Sequence, residues 1–240
     1  MRLILFIILL PFICTLSVNG TKKVRIGMTL AFSLEQDSFY ATAINAIYLH
    51  VQQLNEQSKL FDDDTKIELF HLENDIQRPQ ILKAGVEFIK SDVLAIIGAG
   101  WSSLTDLLLL VTRNSQLPVC DGASTSPMLS NKVKYPNFFR TVPQDANQAE
   151  AIVGFIKSNG WKKIGIIYSN EPYGLGLTTH TEKLSALNGI QVLSKISYQP
   201  YAEKQSYVTL MQRMKETGVR IILIYCLQQS SFQSFLELAK

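Results

Sequence analysis

The sequence predicts an α/β protein of two lobes, each built on a parallel, doubly wound sheet, and three observations lead there. Short apolar runs alternate with helical patterns along the 240 residues. The most apolar of these runs, Ile96-Ile97 and Ile221-Ile222-Leu223-Ile224, are continuous, not alternating. A stretch from Pro118 to Pro143, rich in Pro, Ser and Asn, interrupts the series near its middle. Strand–helix alternation points to parallel strands joined by crossover helices. A continuous apolar run suits a strand covered on both faces. The interruption separates two such groups, with the crossover placed at Thr141 to Asp145. The expected division is 1–20 as a leader, 21–142 as the first lobe and 143–240 as part of a second.

The elements follow in order. Strands are expected over Val24 to Leu30, Ile67 to Leu72, Val93 to Gly98 and Leu117 to Cys120. The first helix carries Ala41, Ile44, Tyr48, Val51 and Leu54 at spacings of three and four, which puts them on one face. A second runs from Pro79, tolerated in a first turn, to Ser91. The third, Ser102 to Asn114, turns Leu104, Leu107, Leu108 and Val111 inward. Phe138 to Asp145 reads as a strand entering the crossover. Beyond it lie a helix from Ala146 to Asn159, stopped by Gly160, and a strand Ile164 to Tyr168. A helix to about Asn188 and a strand near Val192 to Ile196 come next. A helix with Tyr207, Leu210, Met211 and Met214 then leads to the strand Ile221 to Cys226 and a last helix from Ser230.

Composition narrows the function. With 47% hydrophobic and 18% charged residues the chain can bury a substantial core. The net charge of +3 is spread along it, so no clustered cations exist to read a phosphate backbone, and no nucleic-acid partner is expected. Arg2 followed by the apolar run Leu3 to Leu10 matches a secretory leader cleaved near Gly20-Thr21. An uncleaved anchor and a buried first strand are the other readings of that run, which is shorter than the ~20 residues of a spanning helix. Cleavage there removes the sequon Asn19-Gly20-Thr21. Cys14 lies in the leader. Cys120 and Cys226 end separate apolar runs and are expected as unpaired core thiols, although a secretory route permits a disulfide. His50, His71 and His180 are scattered, and Asp62-Asp63-Asp64 reads as a solvated loop, so no metal and no cofactor are expected.

In a parallel sheet, ligands sit beyond the carboxyl ends of the strands. The loop Gly98-Ala99-Gly100-Trp101-Ser102-Ser103 lies at such an end. Its glycines admit close backbone approach, and Ser102 or Ser103 caps a helix whose N-terminus favours an anion. Plain capping with no ligand is the competing reading. Gly122 to Ser130 offers hydroxyls for a zwitterion, or is simply a Ser/Thr turn. Asn170-Glu171-Pro172-Tyr173-Gly174 opens a helix, from which Tyr173 either enters a cleft or packs on its own helix. Neither a Gly-Lys-Ser/Thr phosphate loop nor a Gly-x-Ser-x-Gly elbow is present, and no catalytic constellation stands out.

Four motifs in order carry a family resemblance. They are Gly98-x-Gly100-x-Ser102-Ser103, Ser124-Thr125-Ser126-Pro127-x-Leu129-Ser130, Phe138-Phe139-Arg140-Thr141-x-Pro143 and Gly160-Trp161-Lys162-Lys163-Ile164. Through them the chain resembles the receptor-family ligand-binding region of the atrial-natriuretic-peptide-receptor type. That is a periplasmic-binding-protein-like type I fold, a Venus flytrap. Within the group it is most similar to class C metabotropic GABA and glutamate receptors.

The resemblance implies the extracellular ligand-binding region of a cell-surface, G-protein-coupled receptor that signals when two lobes close over a small amino-acid-like ligand. It gives Ser102, with Ser103 beside it, to the ligand carboxylate and Thr125 to the amino group. Asp145 and Tyr173 take crossover and second-lobe contacts. It further implies homo- or heterodimers through the first lobe, and membrane attachment only through a downstream segment. Two departures concern the site: Ala123 lacks a hydroxyl common at that position, and Trp101 is larger than the usual residue. A third is length, since the fold is C-terminally truncated here and the chain reads as a fragment. A soluble solute-binding protein of a transporter shares the fold and is the second reading. An enzyme on a nucleotide-binding fold ranks last.

Overall fold

The structure, a computed structural model, describes residues 22–30, 38–57, 61, 64–74, 77–200, 204–226 and 229–238. The expected leader, Cys14, the sequon, Asp62 and Asp63 lie outside them. Residues 23–140 form the first unit: β1 (Lys23–Thr29), α1 (Ser38–Gln57), β2 (Lys66–His71), α2 (Arg78–Lys90), β3 (Ala95–Gly98), α3 (Ser102–Thr112), β4 (Val119–Asp121) and β5 (Phe138–Arg140). The second comprises α4 (Asp145–Ser158), β6 (Lys163–Ser169), α5 (Pro172–Leu187), β7 (Gln191–Tyr198), α6 (Lys204–Glu216), β8 (Ile222–Tyr225) and α7 (Gln229–Leu238).

All strand pairs are parallel, in a five-stranded sheet of order β2-β1-β3-β4-β5 and a three-stranded sheet of order β7-β6-β8. In both, the chain moves outward from its first strand and then returns across it. The strand order therefore reverses between β1 and β3, and again between β6 and β8. Loops diverge at such points and leave a crevice at the carboxyl ends.

Apolar burial holds each sheet in its coat of helices. Ile96 and Val119 at the centre of the first sheet are fully buried, with Ile81, Phe88 and Leu108 packed over them from α2 and α3. The Phe88 ring lies on the backbone at Gly27, where a Cβ would come within 2.8 Å of it, so β1 needs a glycine there. In the second sheet Ile164, Ile166 and Ile167 are fully buried. One face meets Ala149, Val153 and Leu177; the other meets Met211, Met214 and Phe235. Burying each such side chain contributes roughly 1.5–3 kcal/mol. The ion pairs of Lys23 and Arg25 with Glu68 are exposed and add little beside this.

Elements fall where the periodicity placed them, with local differences. α1 buries Ile44, but Tyr48 is 44% exposed and meets His71 edge-on, because only one short arc of this helix touches the sheet. In α3, Leu109 is buried as fully as Leu104, whereas Leu107 is only partly covered. The neighbour α2 packs along α3, so its buried arc is wider than a single stripe. Among the described residues, no helix is long and apolar enough to cross a membrane.

Candidate functional site

Two loops meet at the crevice of the first sheet: Gly98 to Trp101 feeding α3, and Gly122 to Ser126 following β4. Asp121, the last residue of β4, binds them together. Its carboxylate is buried and is satisfied by hydrogen bonds, as a buried charge must be, with Arg140 opposite it on β5. Oδ1 accepts from the N–H groups of Ala123 (2.8 Å) and Ser124 (3.1 Å). Oδ2 accepts from Gly100 N–H (3.1 Å), Thr105 O–H (2.6 Å) and Ser124 O–H (2.7 Å). Gly98 has φ +125, and a Cβ there would collide with the carbonyl oxygen of Thr29, so glycine alone fits.

Ser102 is the first residue of α3 and is buried. The expectation that Ser102 or Ser103 caps the helix is corrected: Trp101 holds the cap position, and no side chain bonds there. The Ser102 hydroxyl turns outward to accept the Ser126 N–H at 3.1 Å, because the neighbouring loop presents that donor. Its own O–H proton remains available to an acceptor. Ser103 is half-buried beside it. The N–H groups of Ser102 and Ser103 are ones the helix cannot satisfy internally, and they sit at its positive end.

Thr125 is half-buried, and its carbonyl accepts the Asp145 N–H at 2.9 Å, tying the loop to the start of α4. Asp145 is 3% exposed, with Oδ2 buried and without a hydrogen-bond partner. Burial pushes its carboxyl up to about 6; hydrogen bonding to Thr125 and the charge of Arg140 oppose the rise, and Glu171 adds to it. Arg140 itself clamps the loop, donating from Nη1 to the carbonyls of Ser126 (3.0 Å) and Ser124 (3.3 Å).

Tyr173 stands at the head of α5. Glu171 caps that helix, accepting from the N–H groups of Tyr173 (2.9 Å) and Gly174 (2.8 Å), and it is held in turn by the Ser169 hydroxyl at 2.6 Å. The Tyr173 ring packs against the cluster that joins Ala149 and Val153 of α4, Ile164 and Ile166 of β6 and Leu177 of its own helix. Burial raises its phenol well above the usual range, and the charge of Asp145 raises it further. Tyr173 therefore packs, with Leu177 of its own helix in the same cluster, and the charge of Asp145 acts on it.

A last bond joins the units: Ser126 O–H donates to the Pro172 carbonyl at 2.7 Å. Gly176, one turn further along α5, allows the approach, since a Cβ would lie 2.9 Å from Ser126 Oγ. Ser102, Thr125, Asp145 and Tyr173 are thus linked through Ser126 and Pro172 into one cluster, with Ser103 at its rim. Sequence reasoning passed over Asp121, Ser126 and Glu171 as site residues and read Arg140 only as strand. A lone acid ending a buried strand just before a glycine was the available signal for Asp121.

A cavity of about 320 Å³ opens on the same loops, walled by Leu30, Ala43, Ile47, Ile97, Cys120 and Ala123. Trp101 does not line it; its ring packs between the Ile44 cluster and the main core. Cys120 and Cys226 are unpaired, and both are half-buried, not in the core: Cys120 faces this cavity, and Cys226 follows the end of β8. No group that could hold a metal occurs among the described residues.

Comparison with known proteins places these features in a family. The chain is 32% identical to the human G-protein coupled receptor family C group 6 member A over 60% of its length and 16% of that protein's. It is 27% identical to human metabotropic glutamate receptor 8 over 64% of its length and 17% of the receptor's. It is 25% identical to glutamate receptor 3.7 of Arabidopsis thaliana over 93% of its length and 23% of the receptor's. The chain thus spans less than a quarter of each of these relatives. Among solved structures it resembles an ABC transporter substrate-binding protein from Desulfitobacterium hafniense in complex with Leu. The TM-score is 0.71 at 23% identity, covering 91% of this chain and 63% of that one, which establishes the periplasmic-binding-protein-like fold. Residues 43–240 match the family described as the receptor family ligand binding region, and the chain belongs to it.

Proposed function

We propose that this chain is the extracellular ligand-binding region of a class C-like cell-surface receptor, which takes an amino-acid-like ligand between two lobes, 21–142 and 143–240. One observation carries the reading. Anion-binding and cation-binding groups converge at the crevice, and the Ser126–Pro172 bond brings the second unit onto it. The Ser102 hydroxyl and the free N–H groups at the head of α3 suit a carboxylate. The Thr125 carbonyl and the unpartnered Oδ2 of Asp145 suit an ammonium group, and Tyr173 closes the site from α5.

Nothing in this arrangement activates a nucleophile or positions an acid–base pair, so binding, not catalysis, is the chemistry the site supports. A ligand touching both units stabilises the closed state by its differential affinity for it, which is how closure can pass a signal. Equilibrium dialysis of the full chain against the common L-amino acids tests this. Binding is expected for a free amino acid and lost when its amine is acetylated or its carboxylate esterified. Equal binding of the blocked compounds would sink the zwitterion site.

The second reading, a solute-binding protein serving a transporter, is favoured by the fold shared with the Desulfitobacterium protein. Transcript sequencing separates the two. The receptor reading expects a membrane-spanning segment encoded after the completed domain, and a full transcript without one would leave the transporter reading.

A further inference from the structure

Resting on the amino-acid reading above, we infer that the cavity beside α1 receives the ligand's side chain, and that the ligand is an amino acid with a branched aliphatic or aromatic side chain. The cavity shares Gly98, Gly100, Gly122 and Ala123 with the two loops that carry Ser102 and Thr125. A ligand whose carboxylate and amine are held at those loops has its Cα above the shared backbone. The space beyond that backbone, within the first unit, is this cavity.

Chemistry then selects the occupant. The walls are Leu30 from the end of β1, Ala43 and Ile47 four residues apart on α1, and Ile97 from β3. Among the described residues lining it there is no Lys, Arg or His, so an acidic side chain finds no counter-charge. Among those described residues Asp121 is the sole acid, and its two oxygens already accept five hydrogen bonds from Gly100, Thr105, Ala123 and Ser124. A basic side chain would have to compete with that satisfied network and lose its own hydration. An apolar side chain loses nothing and removes apolar surface from water. The volume of about 320 Å³ is at the small end for ligand sites and suits a single side chain better than a larger molecule.

Cys120 lies in the wall and supplies a direct readout. The test is iodoacetamide labelling of the full chain, followed by peptide mass spectrometry, with calorimetry alongside. The probes are L-leucine, L-phenylalanine, L-alanine, L-glutamate and L-lysine. Leucine or phenylalanine should bind at least about tenfold more tightly than glutamate or lysine, and at saturation should slow labelling of Cys120 at least about fivefold. Ala43→Trp, which fills the cavity from α1, should reduce leucine to the affinity of alanine. Tighter binding of glutamate or lysine, or unprotected Cys120 under saturating leucine, would overturn the side-chain assignment and leave the amino-acid reading standing. Binding of none of the five would overturn both. The labelling arm needs no substitution, so a misfolded variant does not remove the test.

Discussion

Replacing Asp145 by asparagine is expected to stabilise the ligand-free chain while weakening its hold on an amine. The carboxyl is 3% exposed, and its pKa is raised from the usual aspartate range to about 6. An acid whose folded-state pKa is raised binds protons more tightly when folded, so stability falls as pH climbs from about 4 to about 6 and is level above that. The burial cost of the ionised form is about 3 kcal/mol at neutral pH. About 1.5 kcal/mol of it develops between about pH 5 and 7.5. Urea unfolding at these two pH values should show the wild-type chain losing that amount relative to Asp145→Asn, and the variant should be the more stable at the higher pH. Arg140, Glu171 and His180 face the same carboxyl, so His180→Gln serves as a control that should keep the wild-type difference. Ligand binding gives the opposite sign. An ammonium group needs the ionised form, so affinity should fall about tenfold for each pH unit below about 6 in the wild type and stay level in the variant. Identical pH profiles of stability and binding in wild type and variant would refute the role given to Asp145.

Three further outcomes are expected. Ser102→Ala should cost a carboxylate ligand roughly 1.5–3 kcal/mol by calorimetry and lower stability by roughly 1–3 kcal/mol, since the Ser126 N–H loses its acceptor. Loss of stability with unchanged affinity would leave Ser102 as scaffold alone. Asp121→Ala strips five hydrogen bonds from buried donors and should destabilise the chain by about 3 kcal/mol or more in denaturant titration. A smaller effect would mean the loops hold themselves. Gly176→Val places methyls against Ser126 and Pro127 and should push α5 outward, read as a larger radius of gyration in small-angle scattering. An unchanged radius would show that the units do not depend on this contact.

Much of the fold was legible because burial on both faces leaves a sequence mark. Ile96 sits in a continuous apolar run and is fully buried, whereas Ile221 to Ile224 are only half-buried, because β8 is an edge strand of the second sheet. Helix faces were less legible. Tyr48 fits the apolar stripe of α1 yet stands half in solvent, since periodicity states which residues share a face and not how wide a neighbour covers it. Motif and position proposed Ser102, Thr125, Asp145 and Tyr173 as site residues. Their geometry was not legible: that Ser102 serves the Ser126 N–H instead of its own helix depends on a contact 24 residues away in sequence. Asp121 was missed for the same reason, because its donors come from both loops and no local pattern announces them.

The central claim is that an amino acid lies between the two units with its charged ends on the groups named here. A crystal structure of the full chain grown with saturating L-leucine tests it most directly. The account expects the carboxylate within hydrogen-bond distance of Ser102 Oγ and the Ser103 N–H, the amine against the Thr125 carbonyl and Asp145, and the side chain between Ala43 and Ile97. Leucine bound with its charged ends away from Ser102 and Asp145, or an empty crevice at saturation, would contradict it.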